Sequence, residues 1–191
     1  MRIRLEELQR KNPTARLQHQ WLPYGQISIN LKRALIAAED SKFMQHQGFD
    51  VEGIQKAMEK NEKRGRITAG GSTITQQLAK NLFLWPEKSL IRKGEEALIT
   101  MMIEATWSKR RILEVYMNEI EWGTGIFGAE AAARHYFGTS ATELSEYQAA
   151  MLASMVPSPQ YYDRKGETDG LLRQTDVILE RMNKVAIPPN R

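Results

Sequence analysis

Apolar residues recur at intervals of three and four along most of this chain, whereas the apolar-polar alternation typical of half-buried β-strands is almost absent. A period near 3.6 collects apolar side chains on one face of an α-helix. In residues 109–120, for example, one face gathers Ile112, Leu113, Tyr116, Met117 and Ile120. The sequence therefore predicts a mainly α fold.

Length and composition narrow the possibilities. A chain of 191 residues can bury a sizeable core as a single domain, 1–191, without structural metals or disulfides. It has no cysteine, which excludes disulfides and thiolate metal sites. The 27 Lys and Arg against 23 Asp and Glu leave a net charge of +4, which suits an anionic partner such as a phosphorylated substrate or a lipid surface. No window reaches the roughly 18 apolar residues that a membrane span requires.

The predicted helices define the faces that should meet the core. Residues 1–20 are polar and basic with few apolar positions, and we interpret them as a lead-in. Helices are predicted over residues 29–43, 49–63, 73–84, 88–108, 109–120, 129–137, 142–155 and 170–185. The expected inward residues include Val51, Ile54, Gln55 and Met58, then Leu90, Ala97 or Leu98, Met101 and Ala105, and later Leu144, Tyr147, Met151 and Met155.

Two further runs are interpreted as connections. The charged run 59–66 predicts a solvated loop, placed to act as a flap over a bound substrate. The glycine-rich run 122–128 lacks the Lys-Ser/Thr ending and the preceding strand of a phosphate loop, so it predicts a tight turn and not a nucleotide site.

The run 69–81 has unusual backbone and side-chain requirements. Gly70 and Gly71 permit positive φ angles and close approach of another molecule, and Thr73 with Gln76 fits a capping box. Free amides at such a helix start attract anions, and Gln76, Gln77 and Lys80 would lie in the first two turns. A cradle for phosphate or sugar and an ordinary capped helix both fit this run taken alone.

Glu39 and Asp40 end an otherwise apolar helix. A carboxylate at a helix C-terminus opposes the macrodipole, and apolar neighbours raise its pKa, as a general base or acid requires. The alternative for Glu39 is a solvated acid at a helix end. His46 is likewise either part of a site or an ordinary hydrogen-bonded histidine.

Glu96 follows two cations at helical spacing. Arg92 lies four residues before it and Lys93 three residues before it. These are either surface ion pairs or a second carboxylate that is held ionised and faces a cationic patch.

Five motifs together carry a family resemblance. They are Glu39-Asp40-x-x-Phe43-x-x-His46-x-Gly48, Gly71-Ser72-Thr73-Ile74-Thr75-Gln76-Gln77-Leu78-Ala79-Lys80-Asn81, Arg92-Lys93-x-x-Glu96, Lys109-x-x-Ile112-Leu113-Glu114-x-Tyr116-x-Asn118 and Ala131-Ala132-x-x-Tyr136-Phe137. Their order resembles that of peptidoglycan glycosyltransferases, over residues 21–159. The sequence lacks a transpeptidase domain with its Ser-x-x-Lys nucleophile, so it is similar to the monofunctional biosynthetic type. Such proteins usually carry a transmembrane helix ahead of Trp21, and we expect that this anchor has been removed.

The resemblance implies a fold and a reaction. The fold would be the lysozyme-like, two-lobed helical domain, one lobe of which dips into the membrane. The reaction would be polymerisation of lipid II, in which the growing chain passes from undecaprenyl pyrophosphate to the 4-hydroxyl of GlcNAc with inversion, forming β-1,4 linkages. The family is moenomycin-sensitive and works on the outer face of the bacterial cytoplasmic membrane.

The resemblance also implies roles for residues. Glu39 would be the general base, and Glu96 would orient the leaving pyrophosphate or steady charge at the anomeric carbon. Cations and donors for the pyrophosphate would be Lys80, Lys88, Arg92, Lys93, Ser72, Thr73, Gln76, Gln77 and the amides near Gly71. Asp40, Phe43 and His46 would shape the cleft, and Asn81, Glu114, Tyr116 and Asn118 would support it.

The resemblance leaves cofactors, partners and competing functions to be tested. No cofactor is obligatory, and Mg²⁺ or Mn²⁺ near Glu96 is an open expectation. The partners would be lipid II, the growing glycan, the membrane surface and other cell-wall synthesis and division proteins. The first competing function is that of a lytic transglycosylase or muramidase with Glu39 as general acid. The second is that of a non-enzymatic basic module that binds nucleic acid or an anionic membrane; the absence of a nucleic-acid motif argues against it.

Overall fold

The computed structural model of the chain describes residues 2–11, 13–65, 71–84 and 89–190. The helices within them are α1 (Arg2–Lys11), α2 (Ile29–Glu39), α3 (Val51–Arg64), α4 (Ile74–Phe83), α5 (Leu90–Thr106), α6 (Lys109–Glu119), α7 (Ala129–Phe137), α8 (Glu146–Met155), α9 (Pro159–Lys165) and α10 (Asp169–Met182), with a 3-10 turn at Tyr24–Gln26. The strands are β1 (Gln18–His19), β2 (Glu121–Gly123) and β3 (Ile126–Phe127). The predicted mainly α class is confirmed.

Two groups of helices form the body of the protein. In the first, α2, α8 and α10 pack against one another, with Leu35, Leu152 and Ile178 almost fully buried. In the second, α4 packs against α5 and α6. Because α2 packs against α8 and α10, its last residue, Glu39, is held in place by the first group.

Residues 1–20, interpreted as a lead-in with too few apolar positions for a strong helix, contain two regular elements. Residues 2–11 form α1, and residues 18–19 form β1, which pairs in parallel with β3. Arg4 Nε of α1 donates to Glu121 Oε1 at 3.0 Å, and Arg4 also pairs with Glu7. Tertiary contacts therefore stabilise a helix whose apolar spacing is too sparse to predict it.

Two strands that the sequence did not predict, β2 and β3, overlap the glycine-rich run 122–128. β2 pairs antiparallel with β3, with an irregularity between Glu121 and Gly123. The turn between them requires Gly125, whose φ is +75°. Two- and three-residue strands are too short for an alternation to be visible in the sequence.

The predicted inward faces of α3 and α5 are wrong for most of their residues. Leu90, Leu98 and Met101 are 92%, 57% and 53% exposed, and Ala105 is also exposed. The buried face of α5 consists instead of Glu96, Thr100 and Ile103. On α3, Val51 and Met58 are exposed and Ala57 is buried.

The inversion of α5 has a physical cause. Thr75 of α4 donates to Glu104 Oε1 at 2.6 Å, and Lys109 of α6 donates to the same atom at 2.7 Å. Because its neighbours supply partners for polar groups, α5 buries its polar face and turns its apolar face outward.

The other helices differ from prediction in detail. The inward face predicted for residues 109–120 is confirmed, and α7 has its predicted bounds. α8 starts later than predicted, at Glu146, because Ser145 and Gln148 form its capping box. Tyr147, predicted inward, is 45% exposed. The charged run continues α3 to Arg64 and is not a loop up to that point, and Arg66 lies outside the described residues.

None of the described helices has the length and apolar content that crossing a bilayer would demand.

Candidate active site

The end of α2 meets the start of α4. Asp40 is the C-cap of α2, and its Oδ2 accepts the backbone N–H of Ile74 at 3.1 Å. Its Oδ1 lies 2.8 Å from His46 Nε2. Both oxygens of this buried carboxylate are therefore engaged, Oδ2 with the start of α4 and Oδ1 with the segment that follows α2.

The turn before α4 has the predicted capping box. The Thr73 N–H donates to Gln76 Oε1 at 3.0 Å, and the Gln76 N–H donates to Thr73 Oγ1 at 3.2 Å. The Thr73 hydroxyl also donates to Gly48 O at 2.6 Å. The side chains of Thr73 and Gln76 are thus buried and already bonded, whereas Ser72 and Lys80 are exposed.

Glu39 has a different environment from its neighbour Asp40. Its Oε2 accepts a hydrogen bond from Gln77 Nε2 at 2.6 Å. Burial raises the pKa of the Glu39 carboxyl, and Asp40 adds to the rise, while the Gln77 hydrogen bond and the charge of Lys80 oppose it. A half-buried carboxyl with a raised pKa is suited to accept a proton near neutral pH.

Gln77 is bonded on its other side to α6. The Tyr116 hydroxyl donates to Gln77 Oε1 at 2.8 Å. Tyr116 is fully buried, and burial raises the pKa of its phenol well above the ordinary value, with Glu39 and Asp40 adding to the rise. The three side chains Tyr116, Gln77 and Glu39 therefore form one chain of hydrogen bonds.

Two cavities flank this chain of hydrogen bonds. A groove of about 580 Å³ is lined by Gln77, Lys80, Asn81 and Tyr116 together with residues of α1, β2 and α9. A smaller cavity of about 220 Å³ is lined by Glu39, Ser41, Gly71, Ser72 and Arg181 among others. The base candidate and its amide partner thus face two separate spaces.

Phe43 and His46 lie behind the site. Phe43 has no exposed surface, and Lys109 Nζ lies 4.5 Å from the centre of its ring. His46 packs edge-on against Phe43, and among the described residues its buried Nδ1 has no hydrogen-bond partner. Phe43 therefore packs against the ring of His46, and His46 contacts the Asp40 carboxylate.

Glu96 is buried on α5 beside the predicted cations. Lys93 Nζ donates to its Oε1, and Arg92 Nη1 lies 3.7 Å from its Oε2. In the described part of the chain, no group of three His, Asp or Glu side chains is placed to hold a metal. One carboxylate between two cations is a poor fit for a divalent ion.

The motif on α6 fastens the N-terminal segment. Asn118 exchanges two hydrogen bonds of 2.9 Å with the backbone of Leu22. Glu114 Oε1 accepts the Tyr24 N–H at 2.7 Å. These contacts fit the supporting role expected of Glu114 and Asn118.

The sequence did not assign three polar residues and one arginine near the site, and one predicted site residue lies outside the described part of the chain. Thr75 and Lys109 stand in the quoted motifs but were given no role there, and Glu104, which accepts from both, lies outside the motifs. Arg181 comes from α10, beyond the motifs. Lys88 lies outside the described residues.

Comparisons with known proteins agree with the motifs. A family model described as Transglycosylase matches residues 6–183. A protein of Dechloromonas aromatica (strain RCB), named biosynthetic peptidoglycan transglycosylase, is 65% identical over 98% of this chain and 81% of its own length. Proteins with the same name from Janthinobacterium sp. (strain Marseille) and Methylobacillus flagellatus are 58% and 60% identical, over 98% of this chain and 81% and 82% of their lengths.

Proposed function

The chain belongs to the transglycosylase family of the biosynthetic peptidoglycan enzymes, and we propose that it polymerises glycan strands from lipid II with Glu39 as the general base. Membership makes it a glycosyltransferase of peptidoglycan synthesis, and the mainly helical fold agrees with the lysozyme-like domain of this family. The observation that carries the proposal for Glu39 is its position on the wall of the smaller cavity, with a raised pKa and with one carboxylate oxygen held by Gln77, which lines the larger groove.

The proposed reaction is a single displacement. The 4-hydroxyl of the acceptor GlcNAc gives its proton to Glu39 as its oxygen attacks the anomeric carbon of the growing chain. A new C–O bond forms, the bond to the pyrophosphate oxygen breaks, and the pyrophosphate leaves with the bonding electrons. One attack from the opposite face inverts the α-linked donor to a β-1,4 product.

The leaving pyrophosphate needs positive charge and donors more than a proton. Lys80 and Asn81 are exposed on the wall of the larger groove, next to Gln77. Gln77 uses one amide hydrogen on Glu39, and its second remains for substrate. We assign this groove to the pyrophosphate side, and Arg92, Lys93 and Glu96 stay predicted contributors. A Mg²⁺ or Mn²⁺ ion near Glu96 stays a prediction, which the two neighbouring cations disfavour.

We also propose that the apolar face of α5 meets the membrane. This outer face is defined by Leu90, Ile91, Leu98, Met101 and Met102, all more than half exposed. Five exposed large apolar side chains on one helix are unusual on a protein surface that faces only water, and the proposed substrate is a lipid. The proposal puts the enzyme on the outer face of the bacterial cytoplasmic membrane; assembly with other cell-wall synthesis and division proteins stays a prediction.

The decisive experiment is incubation with purified lipid II in detergent, with and without moenomycin, followed by separation of products by size. We expect inhibitor-sensitive polymer from the wild-type chain and less than a hundredth of that rate from Glu39→Gln. Glu143→Gln, on an exposed turn, is the matched control and should keep full activity. A rate of one tenth of wild type in Glu39→Gln would exclude Glu39 as the base, and release of fragments from purified cell wall would favour the lytic alternative.

A further inference from the structure

We propose that Tyr116 is a positioning residue, which fixes the orientation of the Gln77 amide and thereby presents an N–H, and not a carbonyl, to the Glu39 carboxylate. The expected effect on kcat rests on the proposed function. The expected effect on the protonation of Glu39 does not, and it can be measured without any substrate.

The donors and acceptors on either side of Gln77 allow a single orientation of its amide group. A phenol hydroxyl can donate one hydrogen bond, and an amide presents a carbonyl on one side and an NH₂ group on the other. The Tyr116 hydroxyl lies 2.8 Å from one end of the Gln77 amide, and Glu39 Oε2 lies 2.6 Å from the other. An ionised carboxylate only accepts, so the NH₂ end must face Glu39 and the carbonyl must face Tyr116.

Tyr116 is suited to impose this order because it does not titrate in the working range. Its side chain has no exposed surface, and burial keeps its phenol protonated far above neutral pH. Without the hydroxyl, the Gln77 carbonyl would lose its partner in a buried place. The amide would then be free to rotate and to set its oxygen against Glu39, an arrangement that only the protonated acid tolerates.

The other groups around Glu39 cannot replace this control. Lys80 of α4 favours the ionised form by charge, and Asp40 at the end of α2 disfavours it. His46 contacts Asp40 and not Glu39. Arg181 of α10 lines the same cavity, but no hydrogen bond or ion pair joins it to Glu39 in the described residues. Gln77 is thus the hydrogen-bond donor that the structure gives to Glu39.

The test is Tyr116→Phe, which removes one oxygen atom. The titration of Glu39 in the substrate-free protein, followed by ¹³C NMR of its carboxyl carbon, should move to higher pH. With lipid II, the acid limb of the kcat profile should move by the same amount, about a tenfold loss of kcat per pH unit on that limb, with KM little changed.

Tyr24→Phe is the matched control. Tyr24 is also fully buried and also donates its hydroxyl, to Pro188 O at 2.6 Å, but that bond involves neither Glu39 nor Gln77. The control should lose comparable stability and leave the Glu39 titration unchanged. An equal shift in both variants would overturn the proposal, because it would show a general loosening of the fold.

A second variant covers the case in which Tyr116→Phe does not fold. Gln77→Met keeps a similar volume without hydrogen bonds, and it should raise the Glu39 titration at least as much. Adding Tyr116→Phe to it should then have no further effect on that titration. An unshifted Glu39 in either folded single variant would overturn the proposal. If the titration shifts but the wild-type chain makes no polymer from lipid II, the proposed function fails and the positioning role stands.

Discussion

Asp40 Oδ2 accepts the backbone N–H of Ile74 at 3.1 Å, so the carboxylate that ends α2 also caps the first turn of α4. Ile74 is the first residue of α4, and its N–H has no partner within the helix. Glu39 lies at the end of α2 and Gln77 in the first turn of α4. The contact therefore sets the distance between the proposed base and its amide donor.

We expect Asp40→Ala to destabilise the protein more than the loss of an ordinary helix cap does. Asp50→Ala is the comparison, since Asp50 caps α3 through the Gly53 N–H at 3.0 Å in a more exposed place. A typical cap is worth about 1 kcal/mol, and a buried amide left unsatisfied adds about 1–3 kcal/mol. Thermal unfolding should separate the variants by several degrees, and equal melting temperatures would contradict this role.

Glu39→Gln should make the folded protein more stable at neutral pH while it abolishes activity. The pKa of Glu39 is raised on folding, so the folded state binds its proton over a window in which the unfolded state does not. The contribution of Glu39 to stability is therefore fully present below the ordinary value of 4.5 and is lost as pH rises through the raised value.

Glutamine keeps the hydrogen bond from Gln77 without the charge, so the stability gain of the variant should appear above that window and vanish below it. Denaturant unfolding from pH 4 to pH 8 measures this dependence. Glu143→Gln, which leaves Glu39 in place, should keep the pH dependence of wild type. An equal stability of Glu39→Gln and wild type at pH 8 would mean that burial does not destabilise the ionised form of Glu39.

The sequence predicted those features that depend on neighbours along the chain. The Thr73 and Gln76 capping box and the buried face of α6 are both set by local spacing. The Glu39, Gln77 and Tyr116 contacts were not predicted, because the residues are 38 and 39 positions apart in sequence. Periodicity showed that α5 is amphipathic, but not which face is buried, because that depends on polar partners from α4 and α6.

The outer face of α5 leads to a prediction about lipid. Leu98→Glu and Met101→Glu should weaken co-sedimentation with vesicles of phosphatidylethanolamine and phosphatidylglycerol by at least several-fold, because each replaces exposed apolar surface with a charge. The melting temperature should hardly change, since neither residue packs in the core. Tyr147→Glu introduces the same charge at an exposed aromatic on α8 and should leave vesicle binding intact. An equal loss of vesicle binding in all three variants would mean that the added negative charge, and not the loss of apolar surface on α5, is the cause.

Lys32 should make stability depend on pH in the alkaline range. It is 2% exposed and lies 4.1 Å over the Tyr24 ring, and its Nζ donates to the neutral amide oxygen of Asn190 at 3.4 Å. Burial lowers the pKa of Lys32, and Arg110 lowers it further. Between that lowered value and the ordinary 10.5 the unfolded state binds more protons than the folded state, so stability should rise with pH in this window.

Lys32→Met should remove this rise and should be more stable than wild type at neutral pH. Lys165→Met, at an exposed position, is the control that should keep the wild-type slope. Urea unfolding from pH 7 to pH 10 would show the difference, and a wild-type slope in Lys32→Met would assign the effect to another group.

Gly48 and Gly138 form a matched pair for testing how tightly α5 is held against the turn before α4. Both have positive φ, +89° and +66°, so alanine is strained by roughly 1–2 kcal/mol at either position. A Cβ at Gly138 would meet nothing within 4 Å, whereas a Cβ at Gly48 would lie 2.7 Å from Thr100 Cγ2.

Gly48→Ala must therefore also displace α5 or the Gly48 carbonyl, which accepts the Thr73 hydroxyl. We expect it to lower the melting temperature further than Gly138→Ala and, unlike that variant, to reduce polymerisation, because movement of Thr73 shifts the helix that carries Gln77. Similar melting temperatures and activities would show that α5 yields without disturbing the site.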